Sequence, residues 1–119
     1  MRRDRRSLLW DIAEAAAAID GFIEGLDLDH YVQSPLVHSA VERKFEIIGE
    51  ALNQLTKLDP DLAARIPDAS RIVAFRNLLI HGYAVVDHAR VFRTARESLP
   101  ALQEQVTTLL AELGGRTAS

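Results

Sequence analysis

The stretch RNLLIHGY, Arg76 to Tyr83, gathers an arginine, an asparagine, a histidine and a tyrosine within eight residues. Arg76 offers a permanently charged, planar fork of N–H donors that matches phosphate, and His81 is the side chain whose ordinary pKa lies nearest neutrality. Such a pair can do general acid/base work on a phosphodiester. His81 would take the proton of a ribose 2′-hydroxyl as it attacks the adjacent phosphate, and Arg76 would stabilise the extra negative charge of the pentacovalent transition state. Asn77 can hydrogen-bond the phosphate or the arginine, and Tyr83 can stack on a base, donate a hydrogen bond or be modified. This chemistry needs no metal, and the four histidines, His30, His38, His81 and His88, show no ligand spacing such as HExxH.

The spacing raises a difficulty. On an ideal helix, residues five apart point about 140° away from each other, so Arg76 and His81 do not share a face. Either the helix unwinds at His81 because Gly82 ends it, or a symmetry mate completes the site. In a twofold homodimer the same patch meets itself, which would bring two copies of the pair into one cleft. A purely structural role also fits, because the helix dipole alone favours Arg and His near a C-terminus.

A second feature is FEIIGEAL, where Glu46 and Glu50 stand at i,i+4 around Gly49. Glycine inside a helix costs about 1 kcal/mol relative to alanine, so Gly49 implies close approach by a neighbouring helix. Glu50 is then a candidate to orient Arg76; the alternative is a solvated or structurally paired carboxylate. No Glu-x-x-His pattern of a di-metal bundle is present.

The elements that must position these residues are helical. Leu9, Ile12, Ala16, Ile19, Ile23 and Leu26 form an apolar stripe on a helix of about residues 5 to 25, ended by DGFIEGLDLD. Ser34 as N-cap and Pro35 at the first helical position start a second helix that runs to about Lys57. Val37, Val41, Ile48, Leu52 and Leu55 line one face of it, widened by Phe45 and Ile47, so this helix should be central. A short helical turn follows Asp59 and Pro60. The third long helix starts near Asp68 or Ser70 and ends at His81, with Gly82 at the C′ position that tolerates positive φ. The last, from about Asp87 to Leu113, carries Phe92, Ala95, Leu99, Leu102, Val106, Leu109 and Leu113 in register; Pro100 predicts a bend there or a break near Ser98. The tail GGRTAS frays. The expected architecture is all-α: one domain, an antiparallel bundle of four long helices plus a short one, in a homodimer.

Composition agrees. At 119 residues and 48% hydrophobic, the chain is long enough for one core. Without cysteine it has no disulfide framework and no thiolate chemistry. MRRDRRSLLW superficially resembles a signal peptide, but Asp11 and Glu14 interrupt the apolar region, and no apolar run has the length of a membrane span; a cytoplasmic protein is expected. The net charge of -3 argues against indiscriminate nucleic-acid binding, yet Arg71, Arg76, Arg90, Arg93 and Arg96 face Asp87 alone between residues 71 and 96. Arginines outnumber lysines 12 to 2, which favours bidentate contacts to phosphate or carboxylate.

In these residues the chain resembles the HEPN superfamily, and within it the HepT-like toxins of toxin-antitoxin modules. Arg76, Asn77, His81 and Tyr83 match the Arg-x4-His-x-Tyr version of the shared element. MRRDRRSLLWDI, ERKFEIIGEALNQL and the IPD loop ahead of RNLLIHGY follow the family's order, so the resemblance covers most of the chain. It departs at Asp68, where many relatives have tryptophan; the only tryptophan here is Trp10. The resemblance implies a helical homodimer with the motif at its interface and metal-independent endoribonuclease activity on RNA. It also implies an antitoxin partner resembling MntA, a minimal nucleotidyltransferase that transfers AMP to the motif tyrosine, here Tyr83. A non-catalytic module that binds nucleotide or a nucleotidyltransferase partner is the alternative, and a purely structural homodimer built on the stripe from Phe92 to Leu113 is a third reading.

Overall fold

A computed structural model of the chain describes residues 4–81 and 86–114. The expectations for Gly82, for Tyr83 and for the tail beyond Gly114 lie outside the described residues. Within them, all regular structure is helical: α1 Arg5–Ile23, α2 Leu28–Val32, α3 Pro35–Leu58, α4 Pro60–Ala63, α5 Ala69–His81, α6 His88–Glu97 and α7 Leu99–Gly114.

Most helix starts follow from capping chemistry. Asp4, Asp27, Asp59 and Asp87 each accept a backbone N–H from the first turn of α1, α2, α4 and α6, and Ser34 does so for α3, satisfying donors that a helix start leaves orphaned. Pro35 and Pro60 occupy first-turn positions where no N–H is needed. Asp68 precedes α5 at φ 61°, the left-handed region that Asp tolerates better than most side chains, and its carbonyl accepts the Ile72 N–H at 3.0 Å. The third long helix therefore begins at Ala69, between the two residues expected.

One expectation is corrected. The connection after α1 contains a further helix, α2, whose one buried residue is Tyr31. Five residues are too few to show an apolar period, so LDHYV carried no readable stripe. The last apolar stripe breaks near Ser98, one of the two outcomes expected from Pro100: α6 stops at Glu97, and Pro100 falls in the first turn of α7. A proline tolerated at a helix start would have cost an interior hydrogen bond in one continuous helix.

The stripes read from the sequence form the core. Leu9, Ile12, Ala16, Ile19 and Ile23 are buried from α1; Val41, Phe45, Ile48, Leu52 and Leu55 from α3; Leu99, Leu102, Val106 and Leu109 from α7. Burying each large aliphatic or aromatic side chain contributes about 1.5–3 kcal/mol, so these three helices supply most of the apolar driving force. Helix α3 is central: α1 and α5 both pack on it, while α7 packs on α1. Helix α5 buries only Ile72 and Phe75, and Phe75 meets Phe45 edge to face at 5.2 Å. That aromatic pair, worth about 0.5–1.5 kcal/mol beyond its area, anchors α5 one residue before Arg76. Among the described residues, no helix is long and apolar enough to cross a membrane.

Candidate active site

Arg76 crosses α3 directly over Gly49. A β-carbon built on Gly49 would lie 2.7 Å from Arg76 Cγ and closer still to its Cβ, inside any permitted contact. The glycine therefore lets the arginine stem lie against the α3 backbone, the close approach its place in FEIIGEAL implied. One residue further along α3, Glu50 accepts a hydrogen bond from Arg76 Nη2 at 2.7 Å; Asn77 Oδ1 accepts one from Nη1 at 2.9 Å. Gln54, one turn on, donates to the other Glu50 oxygen at 2.9 Å. The guanidinium is thus held in one orientation from two sides by charge-assisted bonds, and its Nε–H has no acceptor among the described residues.

This arrangement forms the floor of a cleft of about 290 Å³ between α1, α3 and α5. Its charged lining is Asp11, Arg43, Glu46, Glu50 and Arg76, three carboxylates against two guanidinia. Glu46 is bonded to Arg43 at 3.2 Å. Within one chain, then, the positive charge of Arg76 is already matched, and a polyanion entering the cleft meets no net attraction from these side chains.

His81 is the last residue of α5 and exposed. The residue of that turn which lines the cleft is Ile80, not His81. The angular separation expected from helix geometry therefore persists, and one chain does not gather Arg76 and His81 at the floor of this cleft.

The basic zone of residues 71 to 96 is also divided by the fold. Arg76 pairs with Glu50, and Arg71 lies 3.7 Å from Asp68. Arg96 donates to the Leu26 carbonyl and covers the Phe92 ring, and Arg90 stands over Phe75. Much of this charge serves tertiary contacts and does not form one continuous phosphate track.

Sequence spacing also missed a group away from the cleft. His38 and Glu42, one turn apart on α3, meet His88 at the start of α6, with their ligand-type atoms within 4.8 Å of one another. The i,i+4 relation of His38 and Glu42 was readable; the third member lies 46 positions beyond Glu42, and only tertiary packing supplies it.

A family model described as "Ribonuclease HepT-like" matches residues 12–109. The chain belongs to the HepT-like ribonuclease family. Among its relatives, "Probable ribonuclease HepT" of Thermococcus cleftensis is 32% identical over 107 residues, covering 87% of this chain and 93% of that one. "Putative RNase MJ1380" of Methanocaldococcus jannaschii is 29% identical over 107 residues, covering 88% and 95%. "Putative RNase TTE0752" of Caldanaerobacter subterraneus is 31% identical over 88 residues, covering 74% and 78%. No solved structure matches the chain. The matched span includes all of α3 and α5, so the Arg76, Glu50 and Gly49 arrangement lies inside the HepT-like region.

Proposed function

We propose that this HepT-like ribonuclease is the toxin of a toxin-antitoxin module, a metal-independent endoribonuclease whose Arg76 and His81 act at a homodimer interface. The observation that carries the reading is the fixed Arg76 guanidinium, seated over Gly49 and oriented by Glu50 and Asn77, in a chain of this family. An arginine held in this way is pre-organised for phosphate, because little orientational freedom is left to lose in the transition state.

In the proposed reaction, neutral His81 removes the proton from a ribose 2′-hydroxyl, and that oxygen attacks the neighbouring phosphorus. The bond to the 5′-oxygen breaks, leaving a 2′,3′-cyclic phosphate on one fragment. The departing 5′-oxygen takes a proton from solvent or from the partner's His81 in its protonated form. Arg76 stabilises the charge gathered on the non-bridging oxygens. The dimer is supported by α5 itself, where Leu78 and Ile80, beside the motif, are 60% and 44% exposed. Exposed apolar side chains beside the motif are surface that a second copy of α5 could cover. Tyr83 is the proposed acceptor of AMP from an MntA-like nucleotidyltransferase antitoxin, which would place a bulky anion two residues from the general base.

The excess of carboxylates in the cleft favours a second reading, in which the chain binds a nucleotidyltransferase partner and cleaves nothing. RNA cleavage separates the two. Purified protein incubated with RNA in excess chelator should cut it, and His81→Ala and Arg76→Ala should each lose about 100-fold or more in rate. Wild-type rates in both variants would overturn the catalytic assignment, and no cleavage by the wild type would favour the binding module.

A further inference from the structure

We propose that His38, Glu42 and His88 form a zinc-class metal site that ties α6 to the central helix. The site is separate from the Arg76 cleft: none of the three residues lines it.

The three ligand-type atoms lie within 4.8 Å of one another, gathered around one Glu42 oxygen. The Nδ1 atoms of His88 and His38 lie 3.0 Å and 3.7 Å from the same Glu42 oxygen. Ligand atoms around a tetrahedral zinc, with bonds of about 2.0–2.2 Å, stand about 3.3 Å apart, so both separations are within a few tenths of an ångström of that value. The two imidazoles are stacked, ring centroids 3.8 Å apart and planes 23° from parallel, so their in-plane lone pairs run side by side and a shared ion requires one ring to turn about its χ angles. Although 3.0 Å is within hydrogen-bond distance, the directions are wrong for one: all three atoms, His38 Nδ1, Glu42 Oε2 and His88 Nδ1, are shut off from solvent and make no hydrogen bond among the described residues. Three inward-turned polar atoms with no bond between them each carry a desolvation cost. A cation held among them would satisfy all three.

Charge points the same way. The Glu42 side chain is 19% exposed and paired with no arginine or lysine among the described residues; its neighbours are His38 and His88. A divalent ion would offset the charge of this shielded carboxylate without requiring either imidazole to carry a proton. Beside it Tyr31 is fully buried, and its hydroxyl too has no hydrogen-bond partner among the described residues. Two imidazoles and one carboxylate are a ligand set that zinc accepts readily, with a further coordination position left for water or an outside ligand. The structural consequence is specific. Helix α6 packs on α2 and α7, so a metal held jointly by His88 and the α3 pair would add a direct tie from the start of α6 to the helix that carries Gly49 and Glu50.

The test uses the untagged full chain, stripped with chelator and dialysed, then titrated with zinc against a chromophoric competitor. One zinc per chain is expected, with a Tm rise of about 10 °C at a hundredfold excess over the dissociation constant. Cobalt in place of zinc should give the visible absorption of a four- or five-coordinate site. His38→Ala, Glu42→Gln and His88→Ala should each abolish stoichiometric binding and the Tm shift, while His30→Ala, altering an exposed histidine, keeps both. Circular dichroism of the stripped variants establishes that they fold, and a zinc-dependent Tm shift surviving in any folded variant of the three would overturn the assignment. So would the absence of stoichiometric binding by the wild type. RNA cleavage in chelator is a separate readout, and its outcome does not bear on whether this site binds zinc.

Discussion

Gly49 and Arg76 cross with no room for a β-carbon between them. That contact sets the height of the guanidinium above α3 and hence its reach to Glu50, so the smallest residue of the site controls the position of its largest.

Gly49→Ala tests this relationship. Alanine gains about 1 kcal/mol in helix propensity, but its methyl group overlaps the Arg76 stem near the α5 backbone, where little can yield; overpacking of this kind costs about 1–3 kcal/mol. The expected net result in denaturant unfolding is destabilisation of about 1 kcal/mol. RNA cleavage should fall further than stability alone explains, because α5 must shift and carry Arg76 with it. A variant with unchanged stability and unchanged cleavage would show that the crossing has no functional weight.

Glu50→Gln removes the charge that matches Arg76 and keeps an acceptor oxygen. Glu50 is 45% exposed at its side chain, so the solvent-screened pair contributes little to stability, and a change below about 1 kcal/mol is expected. RNA binding should respond more. With one guanidinium charge released, affinity for single-stranded RNA should rise at low salt, and the slope of log K on log salt should steepen by about 0.7 for each Arg76 that meets a phosphate. An unchanged slope would mean that phosphate does not reach Arg76.

Tyr31→Phe removes a buried hydroxyl that has no hydrogen-bond partner among the described residues. In chelator-treated protein, stability at neutral pH should stay the same or rise by up to about 1 kcal/mol, since no hydrogen bond is lost. The alkaline response is more telling. Burial and the charge of Glu42 raise the folded-state pKa of Tyr31 above its unfolded value of about 10. Above pH 10 the unfolded chain therefore holds fewer protons than the folded one. The stability this group contributes is complete below pH 10 and is lost progressively as pH rises beyond it. Unfolding midpoints measured from pH 9 to 11 should fall more steeply for the wild type than for Tyr31→Phe, and parallel curves would place the hydroxyl in water.

Much of this architecture is legible residue by residue. The 3,4 spacing from Leu9 to Ile23 and from Leu99 to Leu109, the cap at Ser34 with Pro35 behind it, and the glycine in FEIIGEAL each act through neighbours within a turn or two. Short range is why they can be read: helical φ/ψ, the cap and the apolar face depend on residues the sequence places side by side. The same holds for the residue types gathered in RNLLIHGY, which are read directly from their order. Helix α2 escaped because a single buried tyrosine sets no period.

Contacts between helices are different. That Glu50 meets Arg76 across 26 positions, that Arg96 is spent on the Leu26 carbonyl and that His88 arrives at Glu42 all depend on how far each helix slides and turns against its neighbour. Those registers are settled by packing the whole core, where Phe75 against Phe45 and Arg76 against Gly49 leave α5 little freedom to slide. The sequence by itself determined the helices, their buried faces and the reactive residue types. Only the tertiary structure decided which charges are matched and which histidines meet at Glu42.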